Sequence, residues 1–428
     1  MKKLFYISIL FFLLISCSYE YEPKAYDKAL KIIMTSDIHF IDKSLVDNDI
    51  FLPYQEKSDG KLMKYNEELI DAFIEEALEI KPDIVIITGD LTFNGEYQSH
   101  ITLSNKLKKL KDHKIEVLLI PGNHDILNTR AIDYSSEPLK YAKYTTLEEY
   151  KKIYQNYGLN NNYVIDSHSL SYIFKASDSL YLIMLDSNDY EHNTGFAPSD
   201  IGLIKDETLK WLDEELAKLD NSNFIIFSHH PILDLANNEH YKLTNSDDLI
   251  KLINKYQIKL SISGHIHASN YLYQDLDYHR YYNYGISSLM VYDHQYTILD
   301  YDINNGFNLY TKDLDMENYA LSHNIDDDFF IDFKTKAYDN FKYYSTTRMK
   351  NYFYGDDIDP KLSKIMLEMM GDMNCYEFSG EAYKFNDILK NHPQYVEIYK
   401  YRNSYSASFF DVIKHFKNDS TKLNIKLN

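Results

Sequence analysis

The 428-residue chain predicts an α/β fold built on a parallel or mixed sheet, followed by a smaller helical region. Three observations carry that expectation. From Leu30 onward, short apolar runs alternate with amphipathic stretches, the rhythm of strands linked by helical crossovers. Five of the runs end in a cluster of Asp, Asn or His beside Gly or Pro. Near Met316 the texture changes, and apolar residues then recur at helical spacing.

The elements follow in order. Residues 30–35 (LKIIMT) are an apolar run that reads as a buried strand. Residues 65–80 place Leu69, Ile70, Phe73, Ile74, Ala77 and Leu78 on one helical face and stop before Pro82. A second strand covers 83–88 (DIVIIT), a Lys-rich helix runs over about 99–111, and a third strand over 115–120 ends at Pro121-Gly122. Strands are predicted over 171–176 and 180–185. A helix over 208–219 carries Leu209, Leu212, Leu216 and Leu219 on one side, and strands at 224–227 and 260–262 follow. Alternating segments between 280 and 310, including 288–292 and 296–300, predict antiparallel strands closing a second sheet.

Beyond Met316, Phe330, Phe333, Ala337, Phe341 and Tyr344 share a helical face, with the acidic residues 326–328 favourable at its N-terminus. Asp359-Pro360 opens a helix to about Met370, with Leu362, Ile365, Met366 and Met369 inward. Further helices are expected over 379–389 and 406–416. The chain thus divides into a body at 30–315 and a helical C-terminal domain at 316–428.

A hydrophobic content of 44% is ample for a sizeable core. The formal charge of −20 argues against a nucleic-acid polymer as partner, because no basic stripe offsets phosphate repulsion. A small phosphate ester is not excluded, since bound divalent cations reverse the field locally. Lys2 and Lys3 precede an apolar stretch at 4–15 that is too short to span a bilayer, the pattern of an export signal. It ends in Leu14-Ile15-Ser16-Cys17, which resembles the lipobox of bacterial lipoproteins. That resemblance implies a signal peptide at 1–17, lipidation of Cys17, a tether at 18–29, and membrane attachment through the lipid anchor. The protein would then face outward from the cell membrane or into the periplasm. The alternative is an ordinary secretory signal with an incidental Cys17. Cys375 is the only other cysteine, so neither a disulfide framework nor a Cys-based zinc site is available; it reads as a buried or half-buried spectator.

The chemistry lies in the five clusters: Asp37-Ile38-His39, Gly89-Asp90, Gly122-Asn123-His124-Asp125, His229-His230-Pro231 and Gly264-His265-Ile266-His267. In open α/β sheets the carboxyl ends of strands converge on one edge, so ligands far apart in sequence can share one pocket. Carboxylates, imidazoles and one amide suit Mn²⁺, Fe²⁺, Zn²⁺ or Ni²⁺. Two such cations about 3.5–4 Å apart clamp a phosphoryl group and generate hydroxide at neutral pH. Taken singly, Asp37, Asp90 and Asn123 would be helix caps or turn residues, and His39 or His229 a satisfied imidazole. It is the five in order that carry the signal.

The pattern D-x-H, G-D, G-N-H-D, H, G-H-x-H is similar to that of calcineurin-like metallophosphoesterases. The resemblance covers about residues 31–300. It implies two mixed β-sheets packed face to face and flanked by helices, a four-layer sandwich. It assigns Asp37, His39 and His267 to one divalent metal and Asn123, His229 and His265 to the other, with Asp90 bridging both. His230 is the adjacent alternative to His229; the family position favours His229, with His230 supporting it from behind. It also implies attack by a metal-bridging hydroxide, with His124 stabilising the transition state or protonating the leaving oxygen, and Asp125 holding the His124 tautomer. The stretch Gly89-Asp90-Leu91-Thr92-Phe93-Asn94-Gly95-Glu96 is similar to the cyclic nucleotide phosphodiesterase branch, which includes exported lipoproteins with a helical C-terminal domain. Asn94 and Arg130 are candidates to reach a substrate oxygen. The expected substrate is a small phosphate ester, with a phosphodiester such as a cyclic nucleotide first. A phosphomonoesterase or nucleotidase with the same site is a second expectation, and a non-catalytic binding lipoprotein a third. The C-terminal helices would either cap the pocket or serve stability alone.

Overall fold

Aliphatic runs buried on both faces set the architecture. The computed structural model describes residues 20–55, 60–160, 164–193, 199–219, 222–350, 358–401 and 417–427. Cys17, the signal segment and the helix expected over 406–416 lie outside the described residues. The strands are β1 (Leu30–Thr35), β2 (Ile84–Ile87), β3 (Glu116–Leu119), β4 (Ile132–Asp133), β5 (Lys140–Tyr141), β6 (Val164–Ile165), β7 (Tyr172–Ser177), β8 (Leu180–Leu185) and β9 (Asn223–Ser228). They continue as β10 (Leu260–Ser263), β11 (Asn270–Asp275), β12 (Arg280–Gly285), β13 (Gln295–Asp302), β14 (Gly306–Asp313) and β15 (Lys422–Ile425). The helices are α1 (Asn48–Gln55), α2 (Asn66–Ile80), α3 (Tyr97–Asp112), α4 (Leu147–Ile153), α5 (Asp206–Leu216) and α6 (Ser246–Lys255). Beyond these lie α7 (Met316–His323), α8 (Phe333–Met349), α9 (Pro360–Phe378), α10 (Ala382–Asn391) and α11 (Tyr395–Tyr399).

Both large sheets are mixed. The first has the order β15-β14-β13-β1-β2-β3 and the second β11-β12-β10-β9-β8-β7-β6. In the first, β1, β2 and β3 are parallel and β13 runs against β1. In the second, β8, β9, β10 and β12 are parallel. Alternate side chains explain the layering. Ile32, Met34, Ile84 and Ile86 meet Met184, Phe227 and Ile262 of the other sheet, while Ile33, Val85 and Ile87 meet Leu69 and Phe73 of α2. On the far side Ile183 and Ile226 pack on Leu212 of α5 and Leu249 of α6. Helix, sheet, sheet, helix is the predicted four-layer sandwich. Because both strand faces are covered, the strands read as continuous apolar runs.

Three expectations need correction. Residues 288–292 are not a strand: the Ser288 Oγ donates to the Asp37 carbonyl and accepts the Met290 N–H, so the chain turns there. Leu289 and Met290, which a strand would send to opposite faces, both enter the α2-side core. The helix opened by Asp359-Pro360 does not stop near Met370 but continues to Phe378, through Gly371. A Cβ at Gly371 would stand 2.4 Å from Thr346 Oγ1, so this glycine admits close contact with α8. Finally, the segment after Met316 is not wholly helical. Its end returns as β15, antiparallel to β14, with Phe307 opposite Ile425. The helices after Met316 also share the body's core, since Met316, Phe330 and Phe333 pack in the same cluster as Leu69 and Phe73. No helix among the described residues is long and apolar enough to cross a membrane.

Leu423 and Ile425 point inward and Asn424 outward. Ile425→Ala should therefore lower unfolding stability by about 2–4 kcal/mol in urea titrations, whereas Asn424→Ala should stay within about 0.5 kcal/mol.

Candidate metal centre

All five clusters leave the carboxyl ends of parallel strands: β1, β2 and β3 in one sheet, β9 and β10 in the other. Backbone hydrogen bonds knit the loops into one edge. Asp37 and His39 donate to the Gly89 and Asp90 carbonyls, and Gly264 to that of His229. The two sheets join where the His265 N–H donates to Asp37 Oδ2 at 3.0 Å. Such closeness demands glycine: a Cβ on Gly264 would lie 1.9 Å from Ser36 Oγ, and one on Gly122 2.1 Å from the Asp90 nitrogen.

The backbone is also forced. Asp37, His39, Asp90, His265 and His267 have φ of 50°, 42°, 49°, 70° and 60°. Left-handed φ costs a non-glycine residue about 1–2 kcal/mol, and such strain clusters where a site over-determines it.

The side chains form two adjoining groups. In the first, His39 Nε2 and His267 Nε2 are 3.2 Å apart, and His267 Nε2 is 3.3 Å from Asp37 Oδ1. In the second, His229 Nε2 lies 3.0 Å from Asn123 Oδ1 and 3.3 Å from His265 Nδ1. Asp90 sits between them: its Oδ2 is 3.7 Å from His39 Nε2 and 3.6 Å from His229 Nε2. The structure thus brings together all seven residues named as ligands.

This donor set fits divalent cations. The His229 Nδ1 donates to the Thr88 carbonyl at 2.9 Å, which turns Nε2 toward Asn123 and Asp90. Asp37 Oδ1 is buried without a hydrogen bond. Burial holds the His39 and His265 imidazoles well below their ordinary pKa, so they stay neutral with lone pairs available. Burial opposes ionisation of Asp37, but His267 and the Ser36 hydroxyl bring its pKa down to about 2. The four nitrogen and oxygen donors of Asp37, His39, Asp90 and His267 lie within 4.8 Å of one another, as do nitrogens of His229, His230 and His265.

One neighbour differs from expectation. Asp125 does not orient His124. Its carboxylate accepts the N–H groups of Gly122, Leu91 and Thr92 and the Thr92 hydroxyl, fastening two site loops together. The His124 Nδ1 instead donates to the Phe93 carbonyl at 2.7 Å, so its Nε2 is turned to within 3.9 Å of Asp90 Oδ2. His230 lies beside the ligands: its ring is 4.4 Å from that of His265, its Nδ1 meets Ser187 Oγ, and its Nε2 is buried without a hydrogen bond.

A cleft of about 760 Å³ opens over the site. Asp90, Asn123, His124, His265 and His267 form its floor, and Asn94 and Arg130 line it. Lys61, Tyr241, Arg348 and Phe378 line it too, and sequence reasoning missed them. Each is isolated in the sequence, so no local signal marks it.

A family model described as calcineurin-like phosphoesterase matches residues 30–269. The chain belongs to that family. Its members hydrolyse phosphoric esters, and the expectation of an enzyme of that class stands. Among curated relatives of this phosphoesterase, "Probable glycerophosphodiester phosphodiesterase GpdQ" of Arcobacter nitrofigilis is 28% identical over 49% of this chain and 68% of its own length. A 3',5'-cyclic-nucleotide phosphodiesterase of Nostoc is 28% identical over 44% of this chain and 58% of its own. A "Probable cyclic nucleotide phosphodiesterase" of Moraxella catarrhalis is 24% identical over 47% and 64%. The match thus spans less than two thirds of the latter two relatives.

Removing a residue behind a ligand weakens metal binding about 10–100-fold, and a shared ligand should cost more. Asp90→Asn, equilibrated with Mn²⁺ and measured by elemental analysis, should therefore lose bound metal that the parent protein retains. His100, buried against the Asp125 carbonyl, has its pKa pushed down to about 4 by burial. The unfolded chain then holds more protons below pH 6.5, so the stability of metal-free protein should fall as pH drops from about 6.5 toward 4, by up to ~1.4 kcal/mol per pH unit for this group. Urea unfolding at pH 7 and pH 5 measures this, and His100→Gln should flatten the slope.

Proposed function

We propose that the phosphoesterase is a dinuclear-metal phosphodiesterase acting on small phosphodiesters. The observation that carries the reading is Asp90 Oδ2, which stands 3.7 Å from the nitrogen of one ligand group and 3.6 Å from that of the other. A carboxylate can share two cations; an imidazole cannot. In this reading Asp37, His39 and His267 hold one metal and Asn123, His229 and His265 the other. When bound, the pair supplies Lewis-acid charge and lowers the pKa of a water enough to provide the nucleophile.

The remaining roles follow from the chain itself. The His124 Nδ1 proton is committed to the Phe93 carbonyl, so a neutral His124 offers only a lone pair at Nε2. It can protonate a leaving oxygen only as imidazolium, a state that a bound anion favours. The fixed carbonyl keeps the ring aimed whichever state it holds. Asn94 and Arg130 both line the cleft and are suited to substrate oxygens, Asn94 to a non-bridging oxygen of the reacting ester. A phosphodiester is preferred because the cleft is far roomier than one phosphoryl group requires and its lining includes aromatic and cationic side chains. Cyclic nucleotides are the first candidates, supported by what the Nostoc and Moraxella relatives are named for. We further propose export and anchoring to the outer face of a membrane through lipidated Cys17, motivated by Leu14-Ile15-Ser16-Cys17.

Bis-p-nitrophenyl phosphate should be hydrolysed in preference to p-nitrophenyl phosphate, with activity lost on chelation and restored by Mn²⁺. A strong preference for the monoester would favour the nucleotidase reading. His124→Ala should lower kcat about 10²–10⁴-fold while metal content persists.

A further inference from the structure

Arginine is rare in this chain. Of 45 basic Lys and Arg residues only four are arginine: Arg130, Arg280, Arg348 and Arg402. Two of the four, Arg130 and Arg348, line the one cleft above the metal ligands. Arg280 is engaged elsewhere, donating to both carboxylate oxygens of Asp275 at 2.6 and 3.1 Å. Arg402 lies outside the described residues. In a chain that otherwise uses lysine, a guanidinium matters where its planar fork does what an ammonium cannot: take two oxygens of one oxyanion at once.

The two arginines come from different parts of the fold. Arg130 follows the Gly122–Asp125 loop, with its backbone N–H held by Asn128 Oδ1 at 3.0 Å. Arg348 is in the last turn of α8, which packs on α9 through Gly371 and through Phe341 and Phe378, ring centroids 4.9 Å apart. The Ser269 N–H, two residues beyond His267, donates to the Phe378 carbonyl at 3.1 Å, so the ligand loop is tied directly to the end of α9. Among the described residues neither guanidinium has a carboxylate in salt-bridge range. The one carboxylate in the upper wall, Asp200, faces His240 at 3.1 Å.

Resting on the phosphodiesterase reading, we propose that the preferred substrate carries a second phosphoryl group on its non-reacting part, received by Arg130 and Arg348 while the reacting phosphorus lies at the metal ligands. Two guanidinium forks offer four N–H groups, and a terminal phosphoryl group has three oxygens and up to two negative charges to share between them, against two oxygens and one charge for a carboxylate. Phe93, Tyr241 and Phe378, which line the same cleft, offer aromatic surface for the portion that joins the two phosphates. A simple 3',5'-cyclic nucleotide, with its single phosphate, reacts at the same metal ligands in this reading but leaves the arginine pair unused, so a doubly phosphorylated diester is the better substrate of the two.

The test uses the Mn²⁺-loaded full chain and two esters with the same leaving group, thymidine 5'-(p-nitrophenyl phosphate) and its 3'-phosphorylated counterpart. The 3'-phosphorylated ester should have a kcat/KM higher by at least about tenfold, the size of one charge-assisted hydrogen bond. Arg130→Gln and Arg348→Gln should each shrink that ratio, chiefly through KM, and Arg348→Lys should restore it only in part. A ratio near one in the parent protein, or a ratio that both variants leave unchanged, overturns the proposal while the phosphodiesterase reading stands. Calorimetric binding of thymidine 3',5'-bisphosphate to metal-free protein separates the two ideas. If no ester is cleaved but this binding weakens in Arg348→Gln, the arginine pair stands and the phosphodiesterase reading falls. If the binding is the same in parent and variant, the pair falls.

Discussion

The structure depends on neutral imidazole lone pairs and carboxylate oxygens being held face to face in a buried place. His39 and His267 approach to 3.2 Å, and the Asp90 oxygen stands within 4 Å of three imidazoles. Much in such a cluster is unfavourable on its own. Burial opposes ionisation, the His39 and His267 nitrogens face one another, and five residues carry left-handed backbone. Metal binding would reverse the sign of the local interaction, because a cation converts opposed lone pairs into ligands. The surrounding fold supplies the stiffness that keeps the arrangement in the meantime: strands buried on both faces, glycines that let loops touch, and Asp125 clamping Gly122 to Leu91 and Thr92.

The segment beyond Met316 is part of that stiffness. The Tyr284 hydroxyl donates to the Ser420 carbonyl, Ser420 Oγ meets Asn270, and Ser269 donates to Phe378. These bonds bracket the strand end that bears His265 and His267. Meanwhile β15 closes the edge of the first sheet, where β14 would otherwise present unpaired backbone groups. A helical appendage fastened both to a ligand loop and to the central sheet thereby contributes Arg348 and Phe378 to the lining of the cleft.

How much of this was legible in the sequence follows from the range of each signal. Apolar runs and turn residues report local structure, so β1, β2, β8 and the amphipathic α2 were found within a residue or so. The ligands were legible because each sits immediately after its strand, where chain order implies place. Asp125 was placed correctly, but its role was misread, because adjacency in sequence to His124 says nothing about which backbone amides curl toward a carboxylate. Residues 288–292 alternate like a strand yet turn, owing to a hydrogen bond from Ser288 to Asp37, 251 residues away in sequence. The strand at 422–425 is four residues long and acquires its meaning only from β14. Lys61 and Arg348 reach the cleft from unremarkable loop and helix contexts. No periodicity could have announced them.

The same geometry weighs against a protein that merely holds metal. A structural metal site is closed, with every ligand position filled by protein and no route for substrate. Here the ligand groups form the floor of an open cleft, and His124 is presented there by a bond from Nδ1 to the Phe93 carbonyl rather than buried as packing. Strain of this kind, spread over Asp37, His39, Asp90, His265 and His267, is hard to justify for storage, since relaxed tetrahedral sites are easily built from unstrained loops. It is intelligible if the loops must leave one side of two adjacent cations bare. On that argument the side left open, and the cationic rim above it, belong to the chemistry as much as the ligands beneath.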